Sequence, residues 1–186
     1  MPKRDFQLLK TSTVADRERL DGIVDELCAA VAEDLEPEAR IAVVGIRAGG
    51  EVIAKRLAAE LTARSGAPVP LGFVDITLYR DDLNDLGYLP KVGSTEIDFP
   101  IDDTVVVLAD DVIYTGRTVR AAIDEIIDFG RPRAIRLLAV AERDGRELPI
   151  RADYIGLHVE TEPGEMVIVN FDEPEPGVFL YRRADG

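Results

Sequence analysis

Short apolar runs alternate with amphipathic stretches through the middle of this chain, and that alternation restricts its fold more than any other feature. IAVVGI (41–46), LGFVDITLY (71–79), TVVVLA (104–109) and AIRLLAVA (134–141) are rich in β-branched residues and read as buried strands. EVIAKRLAAELTAR follows the first run and GRTVRAAIDEIIDFG (116–130) follows the third, both with helical patterning. The latter predicts a helix with Val119, Ala122, Ile123, Ile126 and Ile127 on one face, stopped by Gly130 and Pro132. Upstream, Leu20, Ile23, Val24, Leu27 and Val31 repeat at three and four, the spacing of another amphipathic helix. Shorter strand-like pieces lie at 153–156, 166–171 and 178–182. Strands alternating with helices predict an α/β fold, a mainly parallel central sheet flanked by helices on both faces. With no internal repeat or linker, residues 1–186 are expected to form a single domain.

One segment breaks the alternation. RDDLNDLGYLPKVGSTEIDFPID (80–102) is polar, full of turn formers, and too long for an ordinary connection. It predicts either a lid over a site or a β-hairpin excursion.

Charge narrows the range of partners. Lys plus Arg number 22 against 36 Asp plus Glu, a net charge of −14. Such a surface repels phosphate backbones unless its cations gather on one face, which argues against a general nucleic-acid binder and against DNA as a partner. No run approaches the ~20 apolar residues of a membrane span, and MPKRDFQLLKTST lacks the apolar centre of a signal peptide. The single cysteine, Cys28, keeps helical spacing with Val24 and Val31 and reads as a core residue. One cysteine excludes an intrachain disulfide, and a cytoplasmic setting is expected.

Chemistry concentrates in TVVVLADDVIYTGRT (104–118), where a buried strand runs into Asp110 and Asp111 and a helix then opens on Thr115-Gly116-Arg117-Thr118. Ligands of open α/β sheets sit at the carboxyl ends of strands. Free N–H groups and the dipole at a helix start favour an anion. Gly116 allows close backbone approach, and the Thr115 and Thr118 hydroxyls add donors. Aspartates in that place also serve as turn caps. Two in succession, followed by this helix start, favour a site for a sugar diol and a phosphate one sugar apart. GIRAGG (45–50) is a second glycine-rich strand-to-helix turn. It lacks the Gly-Lys-Ser/Thr of an ATP-binding loop, and alone it is a weak signal. The lone His158 has no placed partner, and no His/Cys cluster suggests zinc.

VVVLADDVIYTGRT resembles the phosphoribosyl-pyrophosphate (PRPP) signature of the type I phosphoribosyltransferases. With DITLYRDDL (75–83), DFGRPRAI (128–135) and RELPIRADYIG (146–156), the stretch from Ile41 to Gly156 resembles the pyrimidine-operon attenuation regulator/uracil phosphoribosyltransferase, or PyrR, family. The resemblance implies a type I phosphoribosyltransferase fold with a flexible hood loop. It implies conversion of uracil and PRPP to UMP and pyrophosphate with Mg²⁺ as cofactor, in a homodimer or higher homo-oligomer. It also implies that the UMP-loaded protein binds a leader mRNA to attenuate pyrimidine genes. On the residues of this chain, Asp110 and Asp111 would be catalytic, holding the ribose hydroxyls and reaching the metal only through PRPP-bound Mg²⁺. Thr115, Gly116, Arg117 and Thr118 would hold the 5-phosphate, and Arg47, Ala48, Gly49 and Gly50 the pyrophosphate. Arg80, catalytic in this reading, would help neutralise pyrophosphate from the hood, although RDDLND reads equally as a solvated charged loop.

Three departures from the family pattern stand out. Gly49 occupies the place of a usual second arginine. Asp144-Gly145 replaces a usual Gly-His pair on the base side, so a phosphoribosyltransferase for another base, of hypoxanthine/guanine type, is the nearest alternative. Leu157-His158-Val159-Glu160-Thr161-Glu162 replaces a segment that usually starts Lys-Asn and continues Pro-Thr-Ser, where family members contact RNA. RNA binding is therefore expected to be weakened or lost, against the alternative of a nucleotide-sensing RNA-binding regulator with little catalysis.

Overall fold

A computed structural model describes residues 8–36, 39–47, 49–76 and 94–184. The elements are β1 (Leu8–Ala15), α1 (Arg17–Asp34), β2 (Ile41–Ile46), α2 (Gly49–Ser65), β3 (Leu71–Val74), β4 (Val105–Ile113), α3 (Arg117–Asp128), β5 (Ala134–Arg143), β6 (Tyr154–Val159), β7 (Glu165–Asn170) and β8 (Gly177–Arg183). A five-stranded sheet has the order β3-β2-β4-β5-β6, and all of its pairings are parallel.

The central runs are apolar throughout because both faces of this sheet are covered. On β4, Val107 and Ala109 pack with Leu20, Ile23 and Leu27 of α1 and Ile53 and Leu57 of α2. The alternate residues Val106 and Leu108 pack with Val119, Ala122 and Ile126 of α3. Ile123 is partly buried on the same face, but Ile127 is 53% exposed. It follows Ile126 by about 100° around the helix and so turns off the sheet. Cys28 is buried on α1, and burial pushes its thiol up to about 11, as expected of an inert core residue.

β4, β3 and the segment after β3 differ from the sequence reading. β4 does not stop at Ala109. It carries Asp110 and Asp111 and stays paired with β5 as far as Ile113↔Glu142. β3 ends at Val74, short of the expected 79, and residues 77–79 lie outside those described. The segment expected to be a lid or a β-hairpin excursion divides. Residues 80–93 lie outside those described, whereas 94–103 return to the free edge of β3. There Phe73 and Glu96 exchange backbone hydrogen bonds of 2.8 and 2.7 Å, and Ile97 and Ile101 are buried under the sheet.

β1, β8 and β7 form a separate antiparallel sheet in that order. Its strands are tied by Glu165 of β7. One carboxylate oxygen accepts from the Thr11 hydroxyl of β1 at 3.0 Å and the other from the Glu162 N–H at 3.1 Å, with Arg182 of β8 at 3.5 Å. The Glu162 N–H, then Thr11 and Arg182, hold the Glu165 carboxyl below its ordinary range, against an opposing effect of burial. A carboxylate depressed in the folded state stabilises above its unfolded pKa of about 4.3, and that contribution fades as pH falls through the lower folded value. Glu165→Gln should therefore lower the melting temperature at pH 7, and the gap from wild type should narrow as pH falls below about 4.3. Thermal unfolding across that range checks it, and a gap that does not change with pH would show that Glu165 acts by shape alone.

Candidate active site

The carboxyl edge of the parallel sheet is stepped. β2 pairs with β4 only as far as Gly45↔Ala109, while β5 accompanies β4 four residues further, so Asp110 and Asp111 stand on a ledge next to the loop leaving β2. Asp110 is 4% exposed and Asp111 partly buried. The Asp110 carboxylate accepts from the Asp111 N–H at 3.0 Å, and the Asp111 carboxylate from the Val112 N–H at 2.9 Å. Both side chains are thus oriented by the backbone that follows them.

One side of the ledge is the start of α3. Gly116 caps this helix with φ 89°, a left-handed value that favours glycine, and offers no side chain to the first turn. The Thr115 hydroxyl, buried, accepts from the Arg117 N–H at 3.2 Å. The Thr115 carbonyl accepts from Glu147 and Leu148 at 3.1 and 2.9 Å, which fastens the loop to the β5–β6 connection. Thr118 sits partly buried in the first helical turn. The Arg117 guanidinium turns aside onto Glu147, at 2.6 and 2.9 Å.

The other side is the start of α2. A Cβ added to Gly49 would collide with the Asp111 carboxylate, and one added to Gly50 with the Ala109 carbonyl oxygen. Two glycines in succession therefore let the amino end of α2 rest against the aspartates, and two helix dipoles point their positive ends at one ledge. The Arg47 N–H donates to the Val74 carbonyl at 3.0 Å. Its guanidinium lies 2.7 Å from Glu96, 3.3 Å from Glu51 and 5.2 Å from the centre of the Phe73 ring. Ala48 and Arg80, both expected in the site, lie outside the described residues.

Sequence reasoning missed the wall beyond α3. Tyr114, within the motif itself, lies under the Arg143 guanidinium at 3.9 Å. Gly145 has φ 110°, and a Cβ there would come within 2.5 Å of the Tyr114 ring. The Asp144-Gly145 departure thus makes room for this stacked pair. Only the aromatic at 114 hinted at it. His158 is exposed, with Nδ1 3.1 Å from Glu142 at the ends of β6 and β5.

The arrangement suits a ligand with a diol between two phosphate groups. Two oriented carboxylates accept from hydroxyls, and a helix start on either side favours an anion.

Known proteins resemble this chain over most of its length. The phosphoribosyl transferase domain family matches residues 11–173. The bifunctional protein PyrR of Desulfosudis oleivorans is 42% identical over 91% of this chain and 94% of its own. That of Thermus aquaticus is 50% identical over 72% of this chain and 74% of its own. Among solved structures, a hypoxanthine-guanine phosphoribosyltransferase from Bacillus anthracis superposes with a TM-score of 0.63 at 19% identity, covering 92% of this chain and 98% of that one. A Leishmania tarentolae enzyme of the same class, in complex with GMP, gives 0.67 at 12% identity over 92% and 96%. At such identities the structures speak for the fold alone.

Proposed function

The chain belongs to the phosphoribosyltransferase family and to its PyrR branch, and from that premise we propose that it transfers the phosphoribosyl group of PRPP to uracil, giving UMP and pyrophosphate. The observation that carries this reading is the aspartate ledge between the two helix starts.

In this reading Asp110 and Asp111 accept from the ribose 2′- and 3′-hydroxyls and hold the sugar across the ledge. The 5-phosphate lies at the start of α3, against the backbone and hydroxyls of Thr115 to Thr118. The pyrophosphate lies at the start of α2, against Arg47, Gly49 and Gly50. Bond cleavage builds positive charge on the ribose ring, as in other glycosyl transfers. Two carboxylates already oriented by the Asp111 and Val112 amides favour that charge without reorganising. Their hard oxygen donors also fit Mg²⁺, which commonly joins one or two carboxylates to substrate phosphates. When bound with PRPP, Mg²⁺ neutralises the departing pyrophosphate. The base would stand near the wall of Tyr114 and Arg143.

A uracil/PRPP assay with Mg²⁺, reading UMP and pyrophosphate together, tests the proposal. Turnover with hypoxanthine or guanine but not uracil would reassign the base, and no turnover with any base would overturn the enzyme reading. Cytoplasmic location and assembly into a homodimer or larger homo-oligomer belong to the same proposal. Among the described residues no helix is long and apolar enough to cross a membrane.

The regulatory half of the family's role meets an unfavourable surface. Arg17 and Arg19 on α1 are engaged by Glu173 at 2.7 Å and Glu26 at 3.0 Å. Glu160 and Glu162 stand where the family pattern is not acidic. RNA affinity rests on cations free to meet phosphates. A pyrimidine-operon leader hairpin with UMP at physiological salt is therefore expected to bind no tighter than about 1 µM. Submicromolar, hairpin-specific binding in a filter or anisotropy titration would show that RNA binding is retained.

A further inference from the structure

We infer that Glu96 is a positioning residue that competes with pyrophosphate for the Arg47 guanidinium. The inference rests on the proposed function, in which Arg47 faces the pyrophosphate.

Arg47 is fixed at its backbone by the hydrogen bond to Val74, so its choice of partner lies in the side chain. In this state Nη2 is 2.7 Å from Glu96 and Nη1 is 3.3 Å from Glu51. Its Nε is buried with no hydrogen-bond partner among the described residues. Two carboxylates thus share the guanidinium, each through one nitrogen. A phosphoryl group can take two donors of the same fork in parallel, which is the stronger geometry.

The two carboxylates are not equivalent. Glu51 has a second cation, Lys55, at 2.6 Å. For Glu96, Arg47 is the one cationic partner among the described residues. Glu96 is also fixed in place. Its backbone forms the bridge with Phe73, and the Ser94 hydroxyl lies 3.3 Å from its carboxylate. A negative charge anchored on the edge of β3 therefore reaches the one arginine described in the β2–α2 loop. An arriving pyrophosphate must draw Arg47 from that partner, and when pyrophosphate leaves, Glu96 recaptures the guanidinium.

Glu96→Gln tests this, because it keeps the length and the backbone bridge and removes the charge. Binding of inorganic pyrophosphate with Mg²⁺, followed by calorimetry, should tighten about three- to fivefold, the scale of a partly exposed ion pair. The KM for PRPP should fall by a similar factor without a rise in kcat, while the KM for uracil and the melting temperature stay at wild-type values. In an Arg47→Gln background the same change should have no effect on pyrophosphate binding. A Glu96→Gln protein that binds pyrophosphate as wild type does, or more weakly, overturns the inference and leaves the proposed function standing. A wild-type protein that binds neither PRPP nor pyrophosphate overturns both.

Discussion

Replacing Asp110 and Asp111 together by asparagine will lower phosphoribosyl transfer by about two to three orders of magnitude, the usual effect of removing oriented charge from a reacting centre. The fold should survive. In each residue one carboxylate oxygen accepts from the following amide, and the asparagine carbonyl can accept the same bond. Pairing with β5 runs through the backbone and is untouched. The melting temperature should therefore stay within about 3 °C of wild type. What disappears is negative charge beside the ribose. Turnover within threefold of wild type, measured on protein with an unchanged melt, would remove the ledge from the mechanism.

A second large effect is expected from a single methyl group. Gly50→Ala puts a Cβ against the Ala109 carbonyl oxygen and 3.1 Å from the Asp110 Cα, so no flexible side-chain tip is available to yield. Ala109 is fully buried and held between Gly45 on β2 and Leu138 on β5. The start of α2 has to lift instead. Overpacking of this kind costs about 1–3 kcal/mol, or about 2–12 °C in melting temperature for a chain of this size. Activity should fall about a hundredfold further, because the same shift carries the anion-binding amides away from the ledge. Gly22→Ala in α1 is the control. An added Cβ there meets nothing within 4 Å, and exchanging glycine for alanine in a helix stabilises by about 1 kcal/mol. If both variants melt above wild type, the contact between α2 and β4 has been misjudged.

The central sheet was legible because its residues answer to local rules. IAVVGI and AIRLLAVA are apolar on both faces, and α1, α2 and α3 cover those faces. The motif from Asp110 to Thr118 was legible because its residue types are unusual in that order. β1 was not, since LLKTSTVA is mostly exposed and its partners come from 177–183, at the other end of the sequence. No local pattern marks a strand whose pairing is that remote. In EIDFPI (96–101), Ile97, Phe99 and Ile101 alternate with other residues, and Ile97 and Ile101 are buried. That signal was masked by Glu96, Asp98 and Pro100, so the whole segment read as a polar lid or hairpin excursion. The side-chain bonds of Arg47 to Glu96 and Arg117 to Glu147 cross 49 and 30 positions, and charge alone does not choose partners at such distances.

The pairing of β1 with β8 sets a timetable for synthesis. β1 leaves the ribosome about 160 residues ahead of its partner strand. At the usual pace of translation β1 waits roughly 10–30 s for β8. During that interval α1 through β5 can already assemble, since the central sheet joins segments closer in sequence. A waiting strand invites pairing with other nascent chains. The composition of LLKTSTVA, with a lysine and three hydroxyl residues among eight positions, makes it a poor template for such pairing. The polarity that hid this strand from sequence reading thus lets it remain unpaired until β8 has been made.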